Sequence, residues 1–284
     1  MNTIRKIGVV GAGQMGSGIA QVFAAAGYQV ALCDQSEAAL EKGLNAIKTG
    51  LDRLVRKEKI DTQRADAILQ KINVVTQLES LSDCDLVIEA IIEDTAIKSD
   101  LFRQLDQICK PEALLASNTS SISITLLASA TQRPEQVIGM HFMNPVPVMN
   151  LVEVIRAAQT SDSTHTAIMA LTNSIGKTPQ TVADSSGFVA NRILIPMINE
   201  AIFCCYENLA SAEAIDSVMT LGTNQPMGPL ALADLIGLDT CLSIMQVLYD
   251  GFNDPKYRPC PLLKQMVDAG YLGRKSRRGF YHYN

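Results

Sequence analysis

The sequence predicts an α/β fold: a doubly wound sheet carrying a helical-hairpin arm, followed by an all-helical C-terminal domain. Three observations lead there. The chain opens with a short β-rich run, a glycine-rich turn and a small-residue helix. Short β-rich runs and helical patterns then alternate, the pattern of parallel strands joined by crossover helices. From Gly187 onward nearly every segment has helical periodicity.

Residues 4–10 form the first strand, and Gly11-Ala12-Gly13-Gln14-Met15-Gly16 turns the chain into a helix ending at Gly27. A G-x-G-x-x-G spacing between strand and helix is the fingerprint of a Rossmann-type dinucleotide site. Gly11 permits the tight turn, Gly13 lets a pyrophosphate approach the backbone, and Gly16 lets the helix pack closely on the strand. The helix start, with Ala12, Gln14 and Met15, offers N–H groups and a positive dipole end to the phosphates. The second strand, residues 29–33, ends in Asp34, 18 residues beyond Gly16. A carboxylate there can bind both ribose hydroxyls of NAD and repels the 2′-phosphate of NADP. The alternative is a structural turn that happens to be rich in glycine.

Ser36 is placed to cap a helix over residues 36–59, with Leu40, Leu44, Ile47, Leu51, Leu54 and Val55 on one face. Its far end gathers Arg53, Arg56, Lys57 and Lys59, and the spacing of four puts Arg53 and Lys57 on the same side. That cluster reads either as a solvated face or as a landing site for a phosphate-rich substrate tail. A second helix over residues 61–71 makes a hairpin projecting from the sheet.

Strands follow at residues 74–75 and 85–89, then a helix capped by Asp94 and ending near Pro111, then a strand at residues 114–116. That strand stops at Ser117-Asn118-Thr119-Ser120-Ser121. Ligands of a doubly wound sheet lie beyond the carboxyl ends of its strands, so Ser120 is a candidate substrate contact. Its competing role is to cap the helix after Ser123.

The chemistry is expected in residues 141–153, HFMNPVPVMNLVE. Residues 137–140 read as a strand, 144–147 as a turn, and 149–155 as a second strand. His141 and Glu153 then sit near the ends of adjacent strands. A histidine can accept a proton near neutrality, and a carboxylate beside it can fix its tautomer. Taken alone, the pair reads more readily as a buried histidine satisfied by backbone and a carboxylate on a wet strand face.

A helix at residues 164–175 and a strand at 178–183 close the first domain, residues 1–184. Residues 185–284 form the second. Its first helix is expected to contain Gly187 through Arg192 and to run to about Asn208, with Asn191 and Arg192 side by side on an otherwise apolar helix. Buried amides need partners, which makes Asn191 either a tertiary hydrogen bond or a substrate contact. Pro226-Met227-Gly228-Pro229 starts a further helical segment.

Composition narrows the class. At 284 residues the chain exceeds the usual single core, and 47% hydrophobic residues suffice for ordinary globular interiors. A formal net charge of -5 argues against nucleic-acid partners, and no apolar run is long enough to span a membrane. A first strand starting by Ile4 leaves no room for a leader in this chain, so a cytoplasmic protein is expected. Seven cysteines without a C-x-x-C fit reduced, packed thiols rather than a disulfide framework or a zinc site.

Seven motifs in order, GAGQMGSGIA, VIEAIIEDTAIK, SNTSSISI, HFMNPVPVMNLVEV, DSSGFVANR, PMGPLALADLIGLD and GRKSRRGFYHY, span essentially the whole chain. In these it resembles the short-chain L-3-hydroxyacyl-CoA dehydrogenase family, and within it the bacterial 3-hydroxybutyryl-CoA branch. The resemblance implies a Rossmann-type domain followed by a helical, dimer-forming domain. It implies NAD as cofactor, met by Asp34 at the adenosine ribose, by Glu93, Lys98, Asn118 and Ser120 along its length, and by Asn144 and Lys275 near its nicotinamide half. It also implies substrate contacts from Ser120, His141 and Asn191, a catalytic His141 paired with Glu153, and a coenzyme A site on Arg53, Arg56 and Lys57. The expected reaction is reversible oxidation of a (3S)-3-hydroxyacyl-CoA, with no metal, by a homodimer. Two departures stand out: Arg277 where relatives often have glycine, and Ala231 where many longer-chain relatives have glutamate. The rival readings are a β-hydroxyacid or sugar dehydrogenase on a similar frame, and a non-catalytic NAD-binding relative.

Overall fold

In the computed structural model, which describes residues 4–284, the chain divides into two units after Asp184. The first is a sheet with helices on its faces. Its strands are β1 (Lys6–Val10), β2 (Gln29–Cys33), β3 (Ile72–Val75), β4 (Leu86–Glu89), β5 (Leu114–Ser117), β6 (Val137–Phe142), β7 (Leu151–Arg156) and β8 (Thr178–Ala183). They lie in the order β3-β2-β1-β4-β5-β6-β7-β8. Every neighbouring pair is parallel except β6 and β7, which run antiparallel. β1, β4 and β6 are buried almost throughout, as expected of strands covered on both faces.

The chain order of the strands reverses between β1 and β4, and the crevice at their carboxyl ends is where such sheets take ligands. The helix α1 (Gln14–Ala25) starts there, and Phe23 on it is fully buried, edge-on to Phe142 at a centroid distance of 6.4 Å. Burying a phenylalanine of this kind contributes about 1.5–3 kcal/mol. The contact also ties the dinucleotide helix to the strand that carries His141.

The helix α2 (Glu37–Arg56) is capped by the Ser36 side chain, which accepts from the Ala39 N–H. It stops three residues short of the expected Lys59 because Glu58 turns into the left-handed region at φ 55°. The helix α3 (Thr62–Leu69) returns to complete the hairpin. Leu40, Ile47 and Leu51 of α2 and Ala65 and Ile68 of α3 join the main core. The hairpin therefore packs one face along the unit, while its other face and its basic end are in solvent. The helices α4 (Thr95–Ile108), α5 (Ile124–Ser129) and α6 (Asp162–Ser174) complete the first unit.

The second unit, Ser185–Asn284, is helical: α7 (Ala190–Tyr206), α8 (Ala212–Thr223), α9 (Pro229–Ile236), α10 (Leu238–Phe252) and α11 (Pro261–Asp268) surround a core that includes Ile198, Ile202, Met245, Leu248 and Leu263. Here the expected start of the first helix is corrected. Gly187 and Phe188 have φ of 71° and 50°, outside the right-handed helical region, so α7 begins only at Ala190. Two buried aspartates fasten the tail. Asp234 accepts from the Phe280 and Tyr281 N–H groups and the Tyr283 hydroxyl, while Asp216 accepts from the Leu230 and Ala231 N–H groups and the Tyr281 hydroxyl. Burial and the adjoining Asp216 carboxylate push the Tyr281 phenol far above its ordinary range. Among the described residues no single helix is long and apolar enough to cross a membrane.

Candidate active site

The glycine turn sits at the switch point. Gly11 has φ 103°, and a Cβ on it would lie 2.5 Å from the Ala90 carbonyl oxygen beyond β4. A Cβ on Gly16 would overlap the Gly11 carbonyl, whereas one on Gly13 would meet nothing within 4 Å. Two glycines thus close the turn and the third leaves its backbone bare. Asp34, beyond β2, accepts from the Ala12 N–H at 2.8 Å through one oxygen and from the Ser36 N–H at 3.0 Å through the other. The carboxylate therefore holds the turn as well as facing the crevice.

A cavity of about 620 Å³ opens here, lined by Gly11, Gly13, Gln14, Met15 and Asp34 together with Gln35, Leu78, Ile91, Ile92, Ile97, Leu101 and Gln104. Its floor is backbone and its walls are aliphatic, which suits a nucleotide whose phosphates need N–H groups and whose base needs apolar faces. Sequence reasoning missed the walls. Ile97, Leu101 and Gln104 share one face of α4 at helical spacing, a signal that was present but indistinguishable from ordinary core.

The catalytic candidates His141 and Glu153 lie two and three strands beyond β4, on β6 and β7. His141 and Glu153 are directly opposed in the β6–β7 pair, so both side chains leave the same face of the sheet. His141 Nδ1 is 2.7 Å from Glu153 Oε2, and both side chains are buried. A carboxylate can only accept, so Nδ1 carries the proton and the Nε2 lone pair faces outward. Nε2 is 3.1 Å from Ser120 Oγ. With that tautomer the serine hydroxyl donates to the imidazole. Ser120 is not the helix cap: the side chain of Ser123 receives the Leu126 N–H instead, and Asp184 accepts from the Ser123 hydroxyl and the Ile124 and Thr125 N–H groups.

Around Ser120 the polar cluster is closely wired. Glu93 Oε1 accepts from the Ser120 N–H at 3.0 Å and from the hydroxyls of Thr119 and Ser121. Burial alone would raise the Glu93 carboxyl, but the Lys98 ammonium and those hydroxyls outweigh it and hold it below the ordinary glutamate value of 4.5. Asn118 is buried, and its side-chain oxygen accepts from the Phe142 N–H at 2.9 Å, pinning the residue after His141. Lys98 is 1% exposed and lies outside the cavity lining, paired with Glu89 and Glu93. Asn144 accepts from Gln14 Nε2 at 3.0 Å and so links the Asn144–Pro147 turn to α1. The same turn is held by Lys177, whose ammonium donates to the Val146 and Met149 carbonyls at 2.6 and 2.8 Å. Lys177 and Glu89 were not anticipated from sequence.

Of the remaining candidates, three lie on the hairpin of the first unit and two belong to the second unit. Arg53, Arg56 and Lys57 are exposed at the end of α2. In the second unit, Asn191 is half-buried in the first turn of α7, and its neighbour Arg192 stacks over the Phe252 ring at 4.3 Å. Lys275 is salt-bridged to Asp239. Arg277 has φ 59°, the left-handed conformation that suits glycine, which gives the departure at this position a local cost.

Comparison with known proteins agrees with this architecture. Residues 6–185 match the family described as 3-hydroxyacyl-CoA dehydrogenase, NAD binding domain, and residues 187–283 match 3-hydroxyacyl-CoA dehydrogenase, C-terminal domain. A probable 3-hydroxybutyryl-CoA dehydrogenase of Deinococcus radiodurans is 58% identical over 278 residues, covering 98% of this chain and 100% of the relative. A 3-hydroxybutyryl-CoA dehydrogenase of Bradyrhizobium diazoefficiens is 53% identical over 280 residues, 99% of this chain and 96% of the relative. The crystal structure of an (S)-3-hydroxybutyryl-CoA dehydrogenase from Ralstonia eutropha superposes with a TM-score of 0.97 at 54% identity, covering 99% of this chain and 100% of the other.

Proposed function

The chain belongs to the 3-hydroxyacyl-CoA dehydrogenase family and is an NAD-dependent enzyme, and we propose that it reversibly oxidises (3S)-3-hydroxybutanoyl-CoA to the 3-oxoacyl-CoA. The observation that carries this reading is the relay Glu153–His141–Ser120, with spacings of 2.7 and 3.1 Å, on the sheet edge that also holds the glycine turn.

His141 acts as the general base. Its Nε2 lone pair takes the proton of the 3-hydroxyl as the alcohol becomes a carbonyl. Glu153, fixed opposite on β7, holds Nδ1–H and stabilises the imidazolium that results. Ser120 surrenders its hydrogen bond to Nε2 when the substrate hydroxyl arrives, and its own hydroxyl then donates to the substrate oxygen. Asn191 is a further hydrogen-bond partner for the substrate. NAD supplies the acceptor for the hydride leaving C3 when it is bound. The Gly11–Gly16 turn, Asp34 and the cavity walls fit such a group, because a Cβ-free backbone and open space coincide at Gly13. Glu93, Asn118, Asn144, Lys98 and Lys275 are assigned to holding it, directly or through their neighbours.

The exposed basic end of α2 supports binding of the coenzyme A phosphates by Arg53, Arg56 and Lys57. Exposed Ile193, Leu209, Val218 and Leu221 on the helical unit support a homodimer, and a cytoplasmic location is proposed with it.

The decisive experiment follows NADH consumption at 340 nm with acetoacetyl-CoA. Turnover is expected with wild-type protein; its absence with either nicotinamide cofactor would leave a binding protein. Reversing the charge of Arg53, Arg56 and Lys57 together is expected to raise KM for acetoacetyl-CoA and leave that for NADH unchanged. An unaltered KM would favour a hydroxyacid or sugar dehydrogenase.

A further inference from the structure

We propose that Glu89 is a positioning residue for this reaction: it sets the placement of Ser120 against His141 without touching substrate or cofactor. The proposal rests on the reading of His141 and Ser120 as the reacting pair.

Glu89 ends β4 and is the one charged residue of that strand, Leu-Val-Ile-Glu, at 0% exposure. Both of its oxygens are engaged. Oε1 accepts from the Ile91 N–H at 2.7 Å and from Lys98 Nζ at 2.5 Å, and Oε2 accepts from Ser117 Oγ at 2.6 Å.

Two routes run from those contacts to the same loop. In the first, the Lys98 ammonium also reaches Glu93 Oε2 at 3.1 Å, and the other oxygen of Glu93 takes the Ser120 N–H and the Thr119 and Ser121 hydroxyls. In the second, Ser117 has given its only hydroxyl proton to Glu89, so its oxygen is left to accept, and it takes the Thr119 N–H at 3.1 Å. Both routes end on residues 119–121, and Ser120 Oγ stands 3.1 Å from His141 Nε2.

Such a network is stiff because each of its groups is costly to leave unpaired away from water. A buried ion pair is weak evidence for stability, since apolar residues of similar volume often do as well. What this arrangement supplies is direction: Glu89 fixes which way Lys98 and Ser117 face, and they in turn fix the loop. The Lys98 ammonium, paired with two carboxylates and outside the cavity lining, acts on the site through Glu93 and the loop that Glu93 holds.

The test uses Glu89→Gln in the full-length chain, assayed with acetoacetyl-CoA and NADH. The amide keeps the shape but weakens the hold on Lys98 and places a donor against Ser117. Misplacing a reacting group by a fraction of an ångström to an ångström lowers kcat by about 10- to 100-fold, and that is the loss expected, with KM for NADH within about twofold. Glu93→Gln acts on the same loop, so the double variant is expected to lose little more kcat than the worse single one. If Glu89→Gln does not fold, Ser117→Ala, which cuts the second route alone, takes its place in the cycle with Glu93→Gln. Wild-type kcat per folded molecule, or losses that multiply in the double variant, would overturn the proposal. A His141→Asn control separates the two readings. If that variant is inactive while Glu89→Gln is fully active, the positioning role alone fails; if His141→Asn turns over normally, the catalytic reading itself fails.

Discussion

The two ends of the central sheet use the same chemistry for different purposes. At the carboxyl end, Glu89, Lys98 and the His141–Glu153 pair are buried, and their contacts lead to a loop and a cavity of about 620 Å³. At the amino end, Asp85 accepts from the Arg5 and Lys6 N–H groups and pairs with Lys110, while Lys6 pairs with Asp83 in solvent. That end has a concavity too, about 320 Å³ and lined by Asp85, Lys110, Glu112 and Glu135. There Asp85 holds the start of β1, and among the described residues its contacts lead to no relay. Neither an ion pair nor a hollow marks a site by itself; what marks one is a chain of committed acceptors that ends on a group able to exchange a proton.

The difference can be tested by removing one group at each end. The largest effect is expected at the carboxyl end. General-base assistance is worth about 10²–10⁴-fold, so His141→Asn should lower kcat by that order while NADH binding, followed by nucleotide fluorescence, is retained. Near-normal turnover would remove the distinction between the ends.

At the amino end the expected change is in stability alone. Burial would raise the Asp85 carboxyl, but the Lys110 ammonium and the two backbone N–H groups outweigh it and hold it below 3.8. A carboxyl lowered in the folded state stabilises the protein above its unfolded pKa, and the gain is lost as pH falls through the folded value. Asp85→Asn should therefore unfold more easily at pH 7, by about 1–2 kcal/mol in urea titrations, with kcat unchanged. The gap from wild type should close as the pH is taken below 3.8. A loss of kcat at neutral pH would mean that the two ends are coupled.

The smallest effect lies outside the sheet, at Arg277. The left-handed conformation costs a residue with a Cβ roughly 1–2 kcal/mol, against which glycine loses about 0.5–1 kcal/mol in chain entropy. Arg277→Gly is thus expected to raise stability by less than about 1 kcal/mol without altering kcat. A clear destabilisation would show that the arginine side chain has a role its backbone conformation conceals.

Much of the first unit was legible because its signals are local. The glycine spacing, the apolar runs of β1 and β4, and Asp34 at the end of β2 lie within a few residues of what they specify. His141 and Glu153 could be suspected of pairing because a short turn joins their strands. Where the reading slipped, a backbone angle decided: Glu58 ended α2 early, and Gly187 with Phe188 delayed α7. Hydrophobic periodicity does not report those angles.

By itself, then, the sequence determined the strand–turn–helix start, the candidate pairing of His141 with Glu153, and a helical second half, since each depends on residues close in the chain or on a repeat along it. Only the tertiary structure decided which acceptor serves which donor. Glu89 meets Ser117 across 28 positions, and Lys177 reaches Val146 across 31. A buried glutamate or lysine must find partners, but the chain does not say where, because folding rather than sequence distance brings those partners within reach.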